Sequence, residues 1–151
     1  LTISALHQLG QEDRAWELAL CTLPTHHTAT RQMALRYRSE PYAMPGWVCD
    51  HPRQRGMASQ SWEVGGAASV MAAITDQLLG FSKCGNRLRF RPVLPTSWDE
   101  VRLSYRYGNT TYHLHASRAC TAAVCDGQPL TDGTLALNDD GRIHEAVFPA
   151  R

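Results

Sequence analysis

The chain has 151 residues and a formal net charge of +1, from 15 lysines and arginines against 14 aspartates and glutamates. Because the positive and negative charges nearly cancel, the chain provides no long-range electrostatic field that would attract a polyanion. This argues against nucleic acid or an acidic membrane surface as a partner. The longest apolar run, GAASVMAAI at 66–74, is too short to span a bilayer, and the first residues lack the charged-then-apolar pattern of a signal peptide. A preceding segment could still carry either feature.

The first half of the chain has helical periodicity. It starts at Leu1, without an initiator methionine and inside an apolar helical pattern, so we expect the natural chain to begin earlier. An amphipathic helix is predicted over Glu12–Cys21, a polar loop over Thr25–Arg31, and a short helix over Arg31–Arg38. A long irregular loop follows, then a helix over Gly65–Leu79 whose small residues would permit close packing in a barrel of paired helices.

The second half alternates apolar and polar residues, which predicts half-buried strands. Val101–Tyr107 and Thr110–Ala116 are expected to form a hairpin, because Gly108-Asn109 between them is a two-residue turn signal. Later Asp-Gly pairs mark further turns at the spacing of a sandwich. The chain is thus predicted to divide near Ser82–Asn86 into a helical part, 1–82, and an antiparallel β-sandwich domain, 83–151.

The five cysteines are odd in number, widely spaced and never arranged as C-x-x-C. This pattern favours reduced thiols in a cytoplasmic protein over a disulfide framework. His26, His27, Cys49 and His51 could be assembled into a zinc site on paper, but their spacing matches no standard zinc pattern. We therefore predict no metal ion.

Several motifs follow one another in a characteristic order. They are QLGQEDRAWELAL at 8–20, TLPTHHTAT at 22–30, RYRSEPY at 36–42, SWEVGGAAS at 61–69, RLRFRPVLPTSW at 87–98 and VRLSYRYGNTTYHLH at 101–115. No single motif is specific, but their order resembles the C-terminal part of glycoside hydrolase family 94. That family contains cellobiose-type phosphorylases and the terminal domain of cyclic β-1,2-glucan synthases.

The resemblance implies an α+β chain that contains the terminal helices of an (α/α)6 barrel followed by the β-sandwich. It also implies inverting phosphorolysis of β-glucosides or β-glucans to a sugar 1-phosphate, with inorganic phosphate as co-substrate and no cofactor. In the family the catalytic Asp, and an Arg and a His that hold phosphate, lie before this region. The chain is therefore expected to be inactive alone, to need the missing N-terminal barrel, and to form a possible homodimer without direct membrane contact.

The family's Thr-Gly phosphate contact maps onto Val64-Gly65, beside Gly66. Valine has nearly the shape of threonine without its hydroxyl, so one charge-assisted hydrogen bond of roughly 1.5–3 kcal/mol would be lost. The backbone N–H groups of Gly65 and Gly66 would remain to bind phosphate. Either the protein handles a different acceptor, with or without phosphate, or the site has degenerated.

The candidate sugar-binding residues are Glu40, Tyr42, Gln60 and Trp62. Trp62 would stack on a sugar ring, but a core anchor is an equally good interpretation. Glu40 would accept hydroxyl groups of the sugar, or else tie down its loop through Arg36 or Arg38.

Three functional hypotheses remain at this stage. The first is a segment of a family 94 phosphorylase or glucan synthase. The second is a non-catalytic β-sandwich module that binds carbohydrate or serves assembly, and the third is a degenerate, purely structural remnant.

Overall fold

The structure, a computed structural model, describes residues 2–62 and 65–151. Helices occupy the first half of the chain and strands the second, so the predicted α+β class is confirmed. The helices are α1 Thr2–Gln8, α2 Glu12–Thr22, α3 Pro24–His27, α4 Arg31–Tyr37 and α5 Gly66–Ala72, which continues into a π-helical segment, Ala73–Leu78. The strands are β1 Phe81–Cys84, β2 Arg87–Phe90, β3 Glu100–Tyr107, β4 Thr110–Ser117, β5 Val124–Cys125, β6 Gln128–Pro129, β7 Thr134–Ala136 and β8 Ile143–Pro149.

The helices form where the periodicity predicts them, with one exception. α2 buries Ala15, Trp16 and Ala19 along one side, as an amphipathic helix should. The segment after it was predicted to be a loop, but α3 begins there, because Pro24 at its first turn has a backbone already suited to a helix. Within the two described ranges, no helix is long and apolar enough to cross a bilayer.

The strands form two sheets, and this arrangement corrects the prediction in one respect. One sheet has the order β1-β2-β7 and is antiparallel, while the other has the order β3-β4-β8-β5-β6. In the second sheet β4 and β8 are parallel, from the pair Thr111–Ile143 to the pair Ser117–Pro149. A purely antiparallel sandwich was therefore wrong, because a long crossover through β5, β6 and β7 returns the chain beside β4 in the same direction.

The core of the β-domain lies between these sheets, which gives a sandwich-like arrangement. Every second residue of β2 and β4 is buried, and in β8 Ala146 and Phe148 are buried, so the alternating pattern of the sequence is confirmed. Phe90 and Phe148 meet edge to face, with ring centroids 5.6 Å apart. The buried members are Leu88, Phe90, Tyr112, Leu114, Ala116, Leu135, Leu137, Ala146 and Phe148.

The helices dock on the segment that leads from β2 to β3. The indole N–H of Trp16 donates a buried hydrogen bond of 2.6 Å to the carbonyl of Val93, and its ring lies 4.9 Å from that of Trp98. Asp13 accepts the backbone N–H of Thr96 at 2.7 Å. Side chains from the predicted helical part are thus fixed to the predicted β-domain. The division at residue 82 and the assignment of the helices to a barrel remain predictions.

Candidate functional site

An open pocket of about 660 Å³ lies where the residues after α4 face the segment that precedes α5. Three of the four predicted sugar-binding residues, Glu40, Gln60 and Trp62, line it. They come from two segments about 20 residues apart, which the fold brings together. The full lining consists of Arg38, Ser39, Glu40, Ala58, Ser59, Gln60, Ser61 and Trp62.

Backbone contacts hold the two walls of this pocket in place. Tyr37, at the end of α4, is fully buried, and its carbonyl accepts the N–H of Ala58 at 2.9 Å. The long loop folds back on itself through two isolated antiparallel bridges, Pro45–Ser61 and Val48–Ala58. The irregular loop expected from its prolines and glycines is therefore an anchored hairpin, and its second arm presents residues 58–62 to the pocket.

Glu40 is held by two serine hydroxyls. Ser61 Oγ and Ser39 Oγ both donate to Glu40 Oε2, the latter at 3.0 Å. The hydrogen bond from Ser61 is the main reason that the pKa of Glu40 lies below its usual value, so the group is a carboxylate at neutral pH. Among the described residues Glu40 makes no salt bridge, so the predicted tie through Arg36 or Arg38 was wrong. Ser61 joins the two segments instead.

Trp62 projects from the pocket rather than into a core. It is 73% exposed, and its ring lies edge-on to that of Tyr42, which is 75% exposed, with centroids 6.1 Å apart. The interpretation of Trp62 as a core anchor was therefore wrong. Its φ of 73° is a left-handed conformation that costs a bulky residue on the order of 1–3 kcal/mol. Such strain persists where the surrounding structure imposes it, and here it accompanies an aromatic face that is open to solvent.

The two predicted phosphate-binding glycines lie elsewhere. Gly65 precedes α5 and Gly66 is its first residue; both are exposed, and a Cβ added at Gly65 would meet no atom within 4 Å. Gly66 lines a second cavity, of about 370 Å³, together with His27, Trp47 and Val70. Val64, the third residue of this set, lies outside the described residues. The structure thus places Gly66 and the Glu40 carboxylate in different cavities.

Sequence reasoning missed the two serines that position the carboxylate. Ser39 directly precedes Glu40, and Ser61 directly precedes Trp62. A hydroxyl residue beside Glu40 and another beside Trp62 were the available signal, although the contact between the two segments depends on the fold. His27, considered for a zinc site, instead hydrogen-bonds the Cys21 carbonyl at 2.7 Å and stacks on Tyr37.

Pairwise similarity to individual known proteins supports the family resemblance. The chain is 29% identical over 136 residues to cyclic beta-(1,2)-glucan synthase NdvB of Rhizobium meliloti, which is 90% of this chain and 5% of that protein. It is 29% identical over 121 residues to cellobionic acid phosphorylase of Neurospora crassa, which is 77% of this chain and 15% of the relative. It is 32% identical over 112 residues to solabiose phosphorylase of Paenibacillus borealis, again 15% of the relative and 70% of this chain.

No family model matches the chain. The chain spans only 5% to 15% of the length of these relatives. Each match covers between 70% and 90% of this chain. The predicted family resemblance is confirmed.

Proposed function

This chain resembles the C-terminal part of glycoside hydrolase family 94, and on that premise we propose that it forms one wall of the active site of a β-glucan-processing enzyme. In the proposed reaction, an oxygen of inorganic phosphate attacks the anomeric carbon of a β-glucoside. The glycosidic C–O bond breaks, and an aspartic acid outside this chain protonates the departing oxygen. The products are an α-sugar 1-phosphate and the shortened sugar, and no cofactor is needed.

The observation that carries this proposal is the convergence of Glu40, Gln60 and Trp62 on one pocket, with Tyr42 against the Trp62 ring. A sugar is neutral, rich in hydroxyl donors, and has apolar C–H faces. An ionised carboxylate fixed by two serines accepts such hydroxyls, and an exposed indole stacks on such a face. The chain's near-zero net charge suits a neutral ligand of this kind.

Phosphate would bind to the backbone N–H groups of Gly65 and Gly66. Neither glycine carries a side chain that would block an approaching anion, and both are exposed. Valine at position 64 offers no hydroxyl donor, so phosphate would bind more weakly than to a threonine at that position. The catalytic acid and the remaining phosphate ligands would come from a preceding barrel of the same polypeptide. We propose accordingly that the 151 residues are inactive alone.

The test uses the intact polypeptide that contains this chain. It is incubated with β-linked disaccharides and glucans, with and without inorganic phosphate, and release of sugar 1-phosphate is measured. We expect phosphate-dependent release. Trp62→Ala should raise KM about tenfold, since loss of one stacked ring costs about 1.4 kcal/mol.

Two further variants sharpen the test. Glu40→Gln should lower kcat/KM by about 10- to 150-fold, because a hydrogen bond to a charged group contributes about 1.5–3 kcal/mol. Leu35→Ala is the control, since Leu35 is 67% exposed on α4 and lines neither this pocket nor the cavity that contains Gly66. Equal losses in the Leu35 and Trp62 variants would contradict the assignment of the pocket.

A non-catalytic carbohydrate-binding role has one observation in its favour. Of the residues described as lining the pocket, Glu40 is the single carboxylate, whereas glycosidases work with two. Glucan retention that depends on Trp62 but not on phosphate, with no turnover, would support this second function. If the protein showed neither turnover nor glucan retention, the hypothesis of a purely structural remnant would stand.

A further inference from the structure

Three side chains with metal-binding atoms converge in the β-domain. Cys125 ends β5, Asp126 begins the turn to β6, and His144 lies on β8. One ligand atom from each, a sulfur, a carboxylate oxygen and a ring nitrogen, lies within 4.8 Å of the other two. The antiparallel pairing of β5 with β8, with Cys125 opposite Ala146, brings these residues together.

The second ring nitrogen of His144 has a carboxylate partner of its own. Its Nε2 lies 3.2 Å from both oxygens of Asp140, while Nδ1 faces Asp126. Tyr112 stacks on the ring with centroids 5.0 Å apart, so the orientation of the imidazole is fixed. A histidine that binds a metal nearly always donates its other N–H to a carboxylate or carbonyl, which sets the tautomer. Asp140 is placed to do this, with Nδ1 left for the metal.

We propose that Cys125 Sγ, a carboxylate oxygen of Asp126 and Nδ1 of His144 bind one zinc ion. A set of one sulfur, one nitrogen and one oxygen suits zinc better than the hard cations calcium and magnesium, which prefer oxygen alone. Three protein ligands leave the fourth tetrahedral position to water. On binding, three metal–ligand bonds form, the zinc ion gives up water molecules, and the displaced ligand protons pass to solvent.

The ion would replace hydrogen bonds that now join the three side chains. His144 Nδ1 and Asp126 Oδ2 are 2.5 Å apart, whereas ligands at about 2.0–2.3 Å from a tetrahedral zinc lie about 3–4 Å from each other. The side chain of Asp126 is 47% exposed in a two-residue turn, so it has room for this small movement. The movement would exchange a proton for the metal without altering the strands.

A zinc ion here would fasten the edge of the larger sheet. β5 and β6 have two residues each, so few backbone hydrogen bonds hold this hairpin. The three ligands join it to β8, which lies in the interior of the same sheet. The sequence pattern gave no sign of this set of ligands, because Asp126 and His144 are 18 positions apart and match no spacing typical of a metal site.

The test is metal binding by the intact polypeptide after removal of metals with a chelator. Cobalt(II), added as a probe for zinc, should give a near-ultraviolet sulfur-to-cobalt band that zinc then abolishes. Cys125→Ser should lose this band and one equivalent of bound zinc. Cys84→Ser is the matched control, because Cys84 is exposed on β1, and it should retain both. Asp140→Asn should weaken zinc binding by about 10- to 100-fold.

The proposal is overturned if the wild-type and Cys125→Ser proteins bind equal amounts of zinc and give the same cobalt spectrum. It is equally overturned if the wild-type protein binds no zinc, in which case the cluster is a histidine hydrogen-bonded to two carboxylates. If Cys125→Ser does not fold, His144→Phe decides, because it keeps a ring against Tyr112 and removes both ring nitrogens. Unchanged zinc affinity in that variant excludes His144 as a ligand and overturns the proposal.

Discussion

Thr110, at the start of β4, is fully buried, and its hydroxyl organises the turn before β8. Its Oγ1 accepts the backbone N–H groups of Asp140 at 2.7 Å and Gly141 at 2.8 Å, and donates to Asp140 Oδ1 at 3.1 Å. Thr110→Val keeps the shape of the side chain and removes all three hydrogen bonds. We expect the variant to be clearly less stable, although valine is the more apolar residue.

The magnitude follows from these three bonds. Each contributes about 0.5–1.5 kcal/mol net, so their loss would cost about 1.5–4.5 kcal/mol. Asp140 and Gly141 are exposed, so water can replace the hydroxyl as partner of some of these groups in the variant. We therefore expect Thr110→Val to lower the free energy of unfolding by about 2 kcal/mol. Thr110→Ser keeps the hydroxyl and loses one methyl group, which costs about 1 kcal/mol.

The assay is urea unfolding of the three proteins, compared by midpoint at equal slope. The expected order of stability is wild type, then Thr110→Ser, then Thr110→Val. If Thr110→Val were as stable as the wild type and Thr110→Ser the least stable, apolar packing would outweigh the hydrogen bonds and our reasoning would be refuted.

Three further predictions concern other parts of the chain. Trp16→Phe should lower the free energy of unfolding by about 1–3 kcal/mol, measured by urea unfolding, because the Val93 carbonyl loses its donor. Tyr37→Phe should leave that free energy unchanged or raise it, since the buried hydroxyl has no partner in the described structure. The His115 hydrogen bond is the main cause of the lowered pKa of Glu100. This hydrogen bond stabilises the folded state at pH values above the usual carboxyl pKa, and the stabilisation is lost as the pH falls through the lowered pKa of Glu100. His115→Gln should therefore move the titration of Glu100, followed by NMR, to higher pH.

Local patterns in the sequence predicted the local structure well. The β3–β4 hairpin turns at Gly108-Asn109 as predicted, because a two-residue turn is encoded by the residues that form it. Leu88 and Phe90 are buried and Arg87 and Arg89 are exposed, because side chains alternate along a strand. These features depend only on neighbours in sequence, which is why they could be read from it.

Features that depend on distant residues were not predicted. The parallel pair of β4 and β8 follows from a long crossover whose path has no local signature. The tie from Ser61 to Glu40 and the approach of His144 to Asp126 each join residues about 20 positions apart. Three residues of the candidate pocket, Glu40, Gln60 and Trp62, could be predicted from the sequence. The hydrogen bonds from Ser39 and Ser61 to Glu40 could not be predicted, since the one from Ser61 depends on the way the loop folds back.

The pocket and the proposed zinc site can be tested independently of each other. The pocket is built by residues 38–62, and the cluster by residues 125–144 in the other half of the chain. No residue lines both, so Cys125→Ser should leave sugar binding unchanged and Trp62→Ala should leave zinc binding unchanged. A loss of sugar turnover in Cys125→Ser, with the fold intact, would contradict this independence. Trp16→Phe would then test whether the effect passes through the Trp16–Val93 hydrogen bond, which joins the helices to the segment between β2 and β3.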